Sequence, residues 1–226
     1  MVRIVEKRQL TPITKLYRVE APLIARAARA GQFVIVRVRE GGERIPLTIT
    51  DYHRESGLLT IVVQEVGATT RRLGLLNEGE EIRDMVGPLG EAPDIPSGGH
   101  IVGVGGGYGS AALLCLMREL RDRGERTTII MGAREKGLLI LADELGEICD
   151  NVEICTDDGS AGHHGFVTDL LGVGGLGGFV EPGVVGTPRP WERLSLPPGT
   201  AAARDGLLQF KLTEPMQENA YVDAVT

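Results

Sequence analysis

Thiols are scarce in this 226-residue sequence. Cys115, Cys149 and Cys155 are its only cysteines, and none stands in Cys-x-x-Cys spacing. They read as buried apolar residues rather than ligands. A basic excess is missing too: the formal net charge is -7, and no Lys/Arg cluster offsets it. That argues against a nucleic-acid-binding face. No uninterrupted apolar run approaches the roughly 20 residues of a membrane span. Met1-Val2-Arg3-Ile4-Val5-Glu6-Lys7 lacks the apolar core of a signal peptide, so a cytoplasmic location is the expectation. What remains is 42% hydrophobic and 24% charged, ordinary for a soluble globular protein. The length allows one large domain or two small ones.

Residues 1–95 read as short strands divided by turns. Ile13–Val19 alternates apolar and polar residues at strand period. Gln32–Arg39, Ile45–Tyr52 and Gly57–Val66 follow, separated by Gly/Pro/Asp/Glu turns. Thr69–Leu76 is expected as a short helix and Gly79–Val86 as a closing strand before Gly87-Pro88-Leu89-Gly90. Strands at such spacing predict a small antiparallel barrel. Ala92–Gly99 then carries the Pro/Gly punctuation of a linker.

Beyond the linker, strands alternate with helices over residues 96–171, the βαβ rhythm of a parallel sheet. His100-Ile101-Val102-Gly103-Val104 is a buried strand, Gly105-Gly106-Gly107-Tyr108-Gly109 a glycine turn, and Ser110–Leu120 an amphipathic helix. Such a turn aims backbone N–H groups and a helix dipole at one point, which suits a phosphate. Gly-rich turns also arise for close strand–helix packing, so both readings stand. Arg126–Gly132 and Val152–Thr156 are further strands, Leu138–Ile148 a helix, and Phe166–Leu171 the start of another. Asp157–Gly165 between them is a long loop. Its adjacent His163 and His164, without further ligands, do not make a metal site.

From Gly172 the periodicity stops. Gly172–Gly178 interrupts the helix, and Pro182, Pro188, Pro190, Pro197 and Pro198 follow. Residues 172–226 are therefore expected as an atypical Gly/Pro-rich tail in coil or disorder.

Several motifs in this order resemble the ferredoxin–NADP reductase superfamily, most closely its electron-transfer subunits of the NADH-dependent ferredoxin–NADP oxidoreductase and dihydroorotate dehydrogenase type. Arg44-Ile45-Pro46-Leu47-Thr48 resembles the family's flavin signature. By that resemblance Arg44 pairs with the FAD pyrophosphate, as a guanidinium fork can, and Pro46, Leu47 and Thr48 contact the flavin. A solvated barrel arginine is the competing explanation. Val63 and Gln64 would lie along the isoalloxazine edge, and Gly67, Thr69 and Thr70 would meet the pyrophosphate. Thr69 is also a good N-cap, which alone would explain it. Gly87–Gly90 would close the flavin barrel, although a plain turn explains it equally.

Gly105, Gly106, Gly107, Tyr108 and Gly109 resemble the family's nicotinamide-nucleotide loop, with Ser110 and Ala112 in place of the usual aliphatic and proline. Arg134 and Lys136 stand where an adenosine ribose is read, and their charge hints at NADP; two solvated loop charges explain them as well. Asp157, Asp158 and Gly159 resemble a nucleotide-contacting loop. The resemblance implies FAD and NAD(P)H as cofactors and a larger redox subunit or ferredoxin as partner. No side chain is an obvious acid, base or nucleophile.

Relatives continue with a strand ending in Cys-Gly-Pro and four cysteines holding a [2Fe–2S] centre. Neither follows Leu171 here. The chain is then a variant that lost the cluster, a non-catalytic flavin-binding or regulatory remnant, or one whose reading frame departs near residue 172.

Overall fold

Two strands only one residue apart in the chain, β6 (Glu81–Ile82) and β7 (Asp84–Leu89), form opposite ends of one sheet. With β1 (Val2–Thr11), β2 (Thr14–Glu20), β3 (Phe33–Arg37), β4 (Arg44–His53) and β5 (Leu58–Gln64), the order is β6-β1-β2-β5-β4-β3-β7. Every pairing is antiparallel. Because Arg83 alone joins the two ends, the sheet curls until they approach. Its inner face buries Ile4, Tyr17, Ile49, Leu59 and Ile61 completely or nearly so, which is the alternation a one-sided sheet requires. In this computed structural model residues 1–95, 97–172 and 207–209 are described.

Two short helices serve the barrel. α1 (Pro22–Ala27) opens on a proline, whose fixed φ suits a first turn, and buries Ile24 and Ala25. α2 (Ala68–Leu73) buries Leu73.

Four sequence expectations change here. β1 precedes the first anticipated strand; its burial does not alternate, because register shifts interrupt it between Ile4 and Glu6 and between Gln9 and Thr11. The six residues of α1 are too few to show a helical period. The closing strand is split at Arg83, each part pairing with a different neighbour. The helix expected to reach Leu76 ends at Leu73, with Gly74 at its C-terminus.

Contacts separate the chain into Met1–Ala92 and Pro93–Thr226. The second unit holds β8 (His100–Gly106), α3 (Ser110–Asp122), β9 (Arg126–Ala133), α4 (Ala142–Ile148), β10 (Asn151–Thr156), β11 (His163–His164), α5 (Val167–Gly172) and β12 (Leu207–Gln209). The sheet is parallel throughout, in the order β11-β10-β9-β8-β12. β8 is buried from Ile101 to Gly105, as expected of a strand covered on both faces. α3 buries Leu113, Leu116, Met117 and Leu120. α5 brings Val167 and Leu170 against Val102, Val104 and Ile130.

Differences recur in this unit. The helix expected from Leu138 starts at Ala142; Leu141, at φ 57, breaks any earlier start, and Lys136–Leu138 is a single 3-10 turn. The loop after β10 contains β11, whose two residues pair with Cys155 and Thr156. Within the expected tail, β12 pairs Leu207–Gln209 with Val102–Val104; three residues are too few to signal a strand. The expected disorder or shifted frame falls on residues 173–206 and 210–226, which lie outside the described residues.

Candidate functional site

The barrel candidates converge at one end of the sheet. β4 and β5 pair Ile49 with Ile61, so residues 46–48 and 62–64 leave that pair in the same direction. Arg44 and Pro46 are exposed, and Thr48 and Gln64 half-buried. The side chains of Leu47 and Val63 belong to the barrel core, which leaves only their backbones available to a ligand. The chain then turns at Gly67 into α2.

At that turn the structure corrects one expectation. Gly67, not Thr69, is the N-cap. The Thr70 hydroxyl accepts the Gly67 N–H at 3.0 Å, a donor that a helix start leaves open, and donates to the Gly67 carbonyl at 3.1 Å. Thr69 lies on the first turn, and its hydroxyl donates to Glu43 Oε2 at 2.8 Å. Among the described residues, a Cβ added to Gly67 would meet only Thr70 Oγ1, at 3.9 Å. Open space thus lies in front of this backbone.

α2 is far below the length at which a helix holds itself; the barrel holds its other end. The Tyr17 hydroxyl donates to the Leu73 carbonyl at 3.1 Å, and Lys7 Nζ to the Gly74 carbonyl at 2.8 Å. Burial, with the Glu65 charge second, pushes the Tyr17 phenol above its ordinary range. Glu65 pairs with Lys15 beside it. Tyr17, Lys7 and Glu43 escaped the sequence reading, since nothing local marks a residue that acts across the barrel.

In the α/β unit the glycine turn divides into two kinds of glycine. A Cβ on Gly105 would come 2.9 Å from Ser110 Oγ and 3.0 Å from Leu113 Cδ1, so strand–helix packing accounts for that glycine. Gly106 and Gly107 differ: a Cβ on either would meet no described atom within 4 Å. Gly107 has φ +52, a conformation that suits glycine. Gly106, at φ -103, has no such constraint. Gly109 is buried and caps α3, with no side-chain cap there among the described residues. A 3-10 turn, Gly107–Gly109, runs directly into α3, and the Ser110 N–H donates to the Gly107 and Tyr108 carbonyls. Tyr108 is half-buried, and desolvation pushes its phenol up to about 12.

This turn stands at the carboxyl end of β8. Sheet order reverses there, because β9 lies on one side of β8 and β12 on the other. Open α/β sheets bind ligands at such a reversal. Parallel strands place the exits of β9 and β10 at the same edge. Arg134 and Lys136 are exposed on the first exit; Asp157, Asp158 and Gly159 are exposed on the second.

The two exits are tied together. Asp157 and Asp158 donate their N–H groups to the carbonyls of Ala133 and Arg134, at 3.0 and 3.1 Å. Ser160 Oγ accepts the Lys136 N–H at 2.8 Å and donates to Asp158 Oδ1 at 2.6 Å. The hydroxyl and amide of Ser160 hold the Asp158 carboxyl below its usual range. Asp158 thus shapes the loop, while the Asp157 side chain makes no hydrogen bond or ion pair among the described residues. Gly159 takes φ +72 to turn this loop.

All three cysteines are buried and unbridged. Desolvation raises the thiols of Cys149 and Cys155 from 9.0 to about 11, so neither is a nucleophile at neutral pH. Among the described residues no three His, Cys, Asp or Glu side chains are grouped to hold a metal, and no helix is long and apolar enough to cross a membrane.

No protein-family model matches the chain. It is 45% identical over 168 residues to a dihydroorotate dehydrogenase B (NAD(+)), electron transfer subunit homolog of Thermotoga maritima, covering 74% of this chain and 59% of that protein. It is 30% identical over 179 residues to the dihydroorotate dehydrogenase B (NAD(+)), electron transfer subunit of Geobacillus thermodenitrificans, covering 76% of this chain and 69% of that protein. Among solved structures, that of the NADH-dependent reduced ferredoxin-NADP oxidoreductase matches with a TM-score of 0.72 and 42% identity, covering 76% of this chain and 62% of the other. The chain spans about three-fifths of the length of the first relative. The antiparallel curled sheet, the parallel α/β unit and these identities agree: the chain belongs to the dihydroorotate dehydrogenase B electron transfer subunit family, within the ferredoxin–NADP reductase superfamily.

Proposed function

We propose that this chain moves electrons between NAD(P)H and a larger redox subunit or ferredoxin by way of FAD, in the cytoplasm. The observation that carries this reading is the open backbone at Gly106 and Gly107, at the sheet's reversal point. Packing explains Gly105 and a positive φ explains Gly107, but neither explains Gly106, and a nucleotide phosphate is the ligand such a turn suits.

The barrel end fits the flavin nucleotide by the same criterion. Gly67 leaves space where a Cβ would intrude, and the Arg44 guanidinium offers a fork for phosphate. In this reading Arg44, Gly67, Thr69 and Thr70 hold the phosphates, while Pro46, Thr48, Gln64 and the backbones of Leu47 and Val63 line the ring system. Bound FAD would supply hydride acceptance and one-electron release, chemistry that belongs to the cofactor. The chain's own groups bind and orient. Gly105 to Gly109 seat the nicotinamide nucleotide, with Arg134, Lys136, Asp157, Asp158 and Gly159 around its adenosine end.

A [2Fe–2S] centre does not fit the residues present. It requires four protein ligands, normally thiolates, and this sequence has three cysteines, all buried. The second reading, a flavin-binding or regulatory remnant that cannot complete a nicotinamide site, draws instead on the absence from this sequence of the Cys-Gly-Pro motif that relatives bring to the nicotinamide.

Absorbance of the purified protein separates the two. A yellow protein bleached by NADH or NADPH is the expected result. Bound flavin that responds to neither identifies the remnant. A colourless protein that takes up no added FAD overturns both.

A further inference from the structure

Glu43 lies on the turn between β3 and β4, immediately before Arg44, and its carboxylate accepts the Thr69 hydroxyl at 2.8 Å. The bond joins residues 26 apart in sequence and ties the β4 entry to the first turn of α2. It places an acidic group on a donor assigned above to a phosphate. Nothing in the fold needs it there: Gly67 and Thr70 already satisfy each other, and Tyr17 and Lys7 hold the far end of α2.

We infer that Glu43 is an internal competitor for the flavin phosphate, holding Thr69 until cofactor binding displaces it. This rests on the flavin reading of Arg44 and Gly67–Thr70. A phosphate reaching Thr69 meets a like charge beside it, and like charges in proximity repel. The carboxylate must also surrender a charge-assisted hydrogen bond, which is stronger than a neutral one. Both costs fall on phosphate binding, so Glu43 lowers flavin affinity. Arg44, one residue along, acts in the opposite sense. The neighbouring pair sets how firmly the cofactor is retained.

The test is titration of flavin-free protein with FAD, and separately with riboflavin, read by quenching of flavin fluorescence. Glu43→Gln removes the charge and keeps the shape. The expected result is FAD binding about threefold to tenfold tighter, the scale of one exposed charge interaction together with its hydrogen bond. The gain should shrink as salt is raised, because screening weakens repulsion between exposed charges. Riboflavin, which has no phosphate, should bind both proteins alike or neither. Unchanged or weaker FAD binding by the variant overturns the inference while leaving the flavin reading intact. An equal gain for riboflavin also overturns it, since the effect would not act through phosphate. Failure of both proteins to take up FAD overturns the flavin reading, and the inference with it.

Discussion

The buried phenol of Tyr17 donates its proton to the carbonyl of Leu73, 3.1 Å away, joining the barrel core to the C-terminal end of α2. Removing that hydroxyl in Tyr17→Phe leaves a buried acceptor without its partner and should cost about 1–2 kcal/mol. Denaturant unfolding measures that loss. In the flavin reading the same variant also weakens FAD binding, because the turn holding the phosphate is less well fixed. Restoring global stability with an osmolyte should not restore that affinity.

Burial of Cys149 and Cys155 has a consequence at alkaline pH. The folded-state thiols titrate near 11 rather than at 9.0. Between those values the native chain holds more protons than the unfolded chain, so stability falls as pH rises through that window. Below pH 9.0 their contribution is fully present. Unfolding curves collected across the range should show the decline. At neutral pH a thiol reagent should label the native protein slowly and all three cysteines rapidly after unfolding.

Cofactor choice is tested at Arg134. If Arg134 meets a 2′-phosphate, Arg134→Ala weakens NADPH binding about tenfold, the scale of one charge-assisted contact, and leaves NADH nearly unchanged. Equal effects on both nucleotides would remove the 2′-phosphate role and leave Arg134 as a loop charge.

Much of the architecture was legible because the features that specify it are local. Alternation marked the strand at Ile13–Val19, turn punctuation marked those around Ile35, Ile49 and Ile61, and the change to βαβ rhythm after Gly99 marked the α/β unit. The glycine turn was equally visible, but its two explanations could not be separated from sequence. Space above Gly106 is a property of the folded sheet, as is the crowding at Gly105. Tyr17, Lys7 and Glu43 were invisible for a related reason: each acts on α2 across a distance in sequence. The same holds for β12, whose three residues gain meaning only by lying beside Val102–Val104. The Leu47 and Val63 assignments show the converse limit. A motif places a residue beside a ligand, but strand alternation decides whether its side chain or only its backbone faces it.

The claim that Gly106 is kept bare for a nucleotide is tested most directly with Gly106→Val. Its φ of -103 suits a β-branched residue, and no described atom obstructs the new Cβ. The measurement is the rate of flavin bleaching against NADH and NADPH concentration, alongside the melting temperature. The account predicts an unchanged melting temperature and a nucleotide requirement raised about tenfold or more, since the side chain would occupy the phosphate's approach. Bleaching at unaltered nucleotide concentration by an equally stable variant would contradict it.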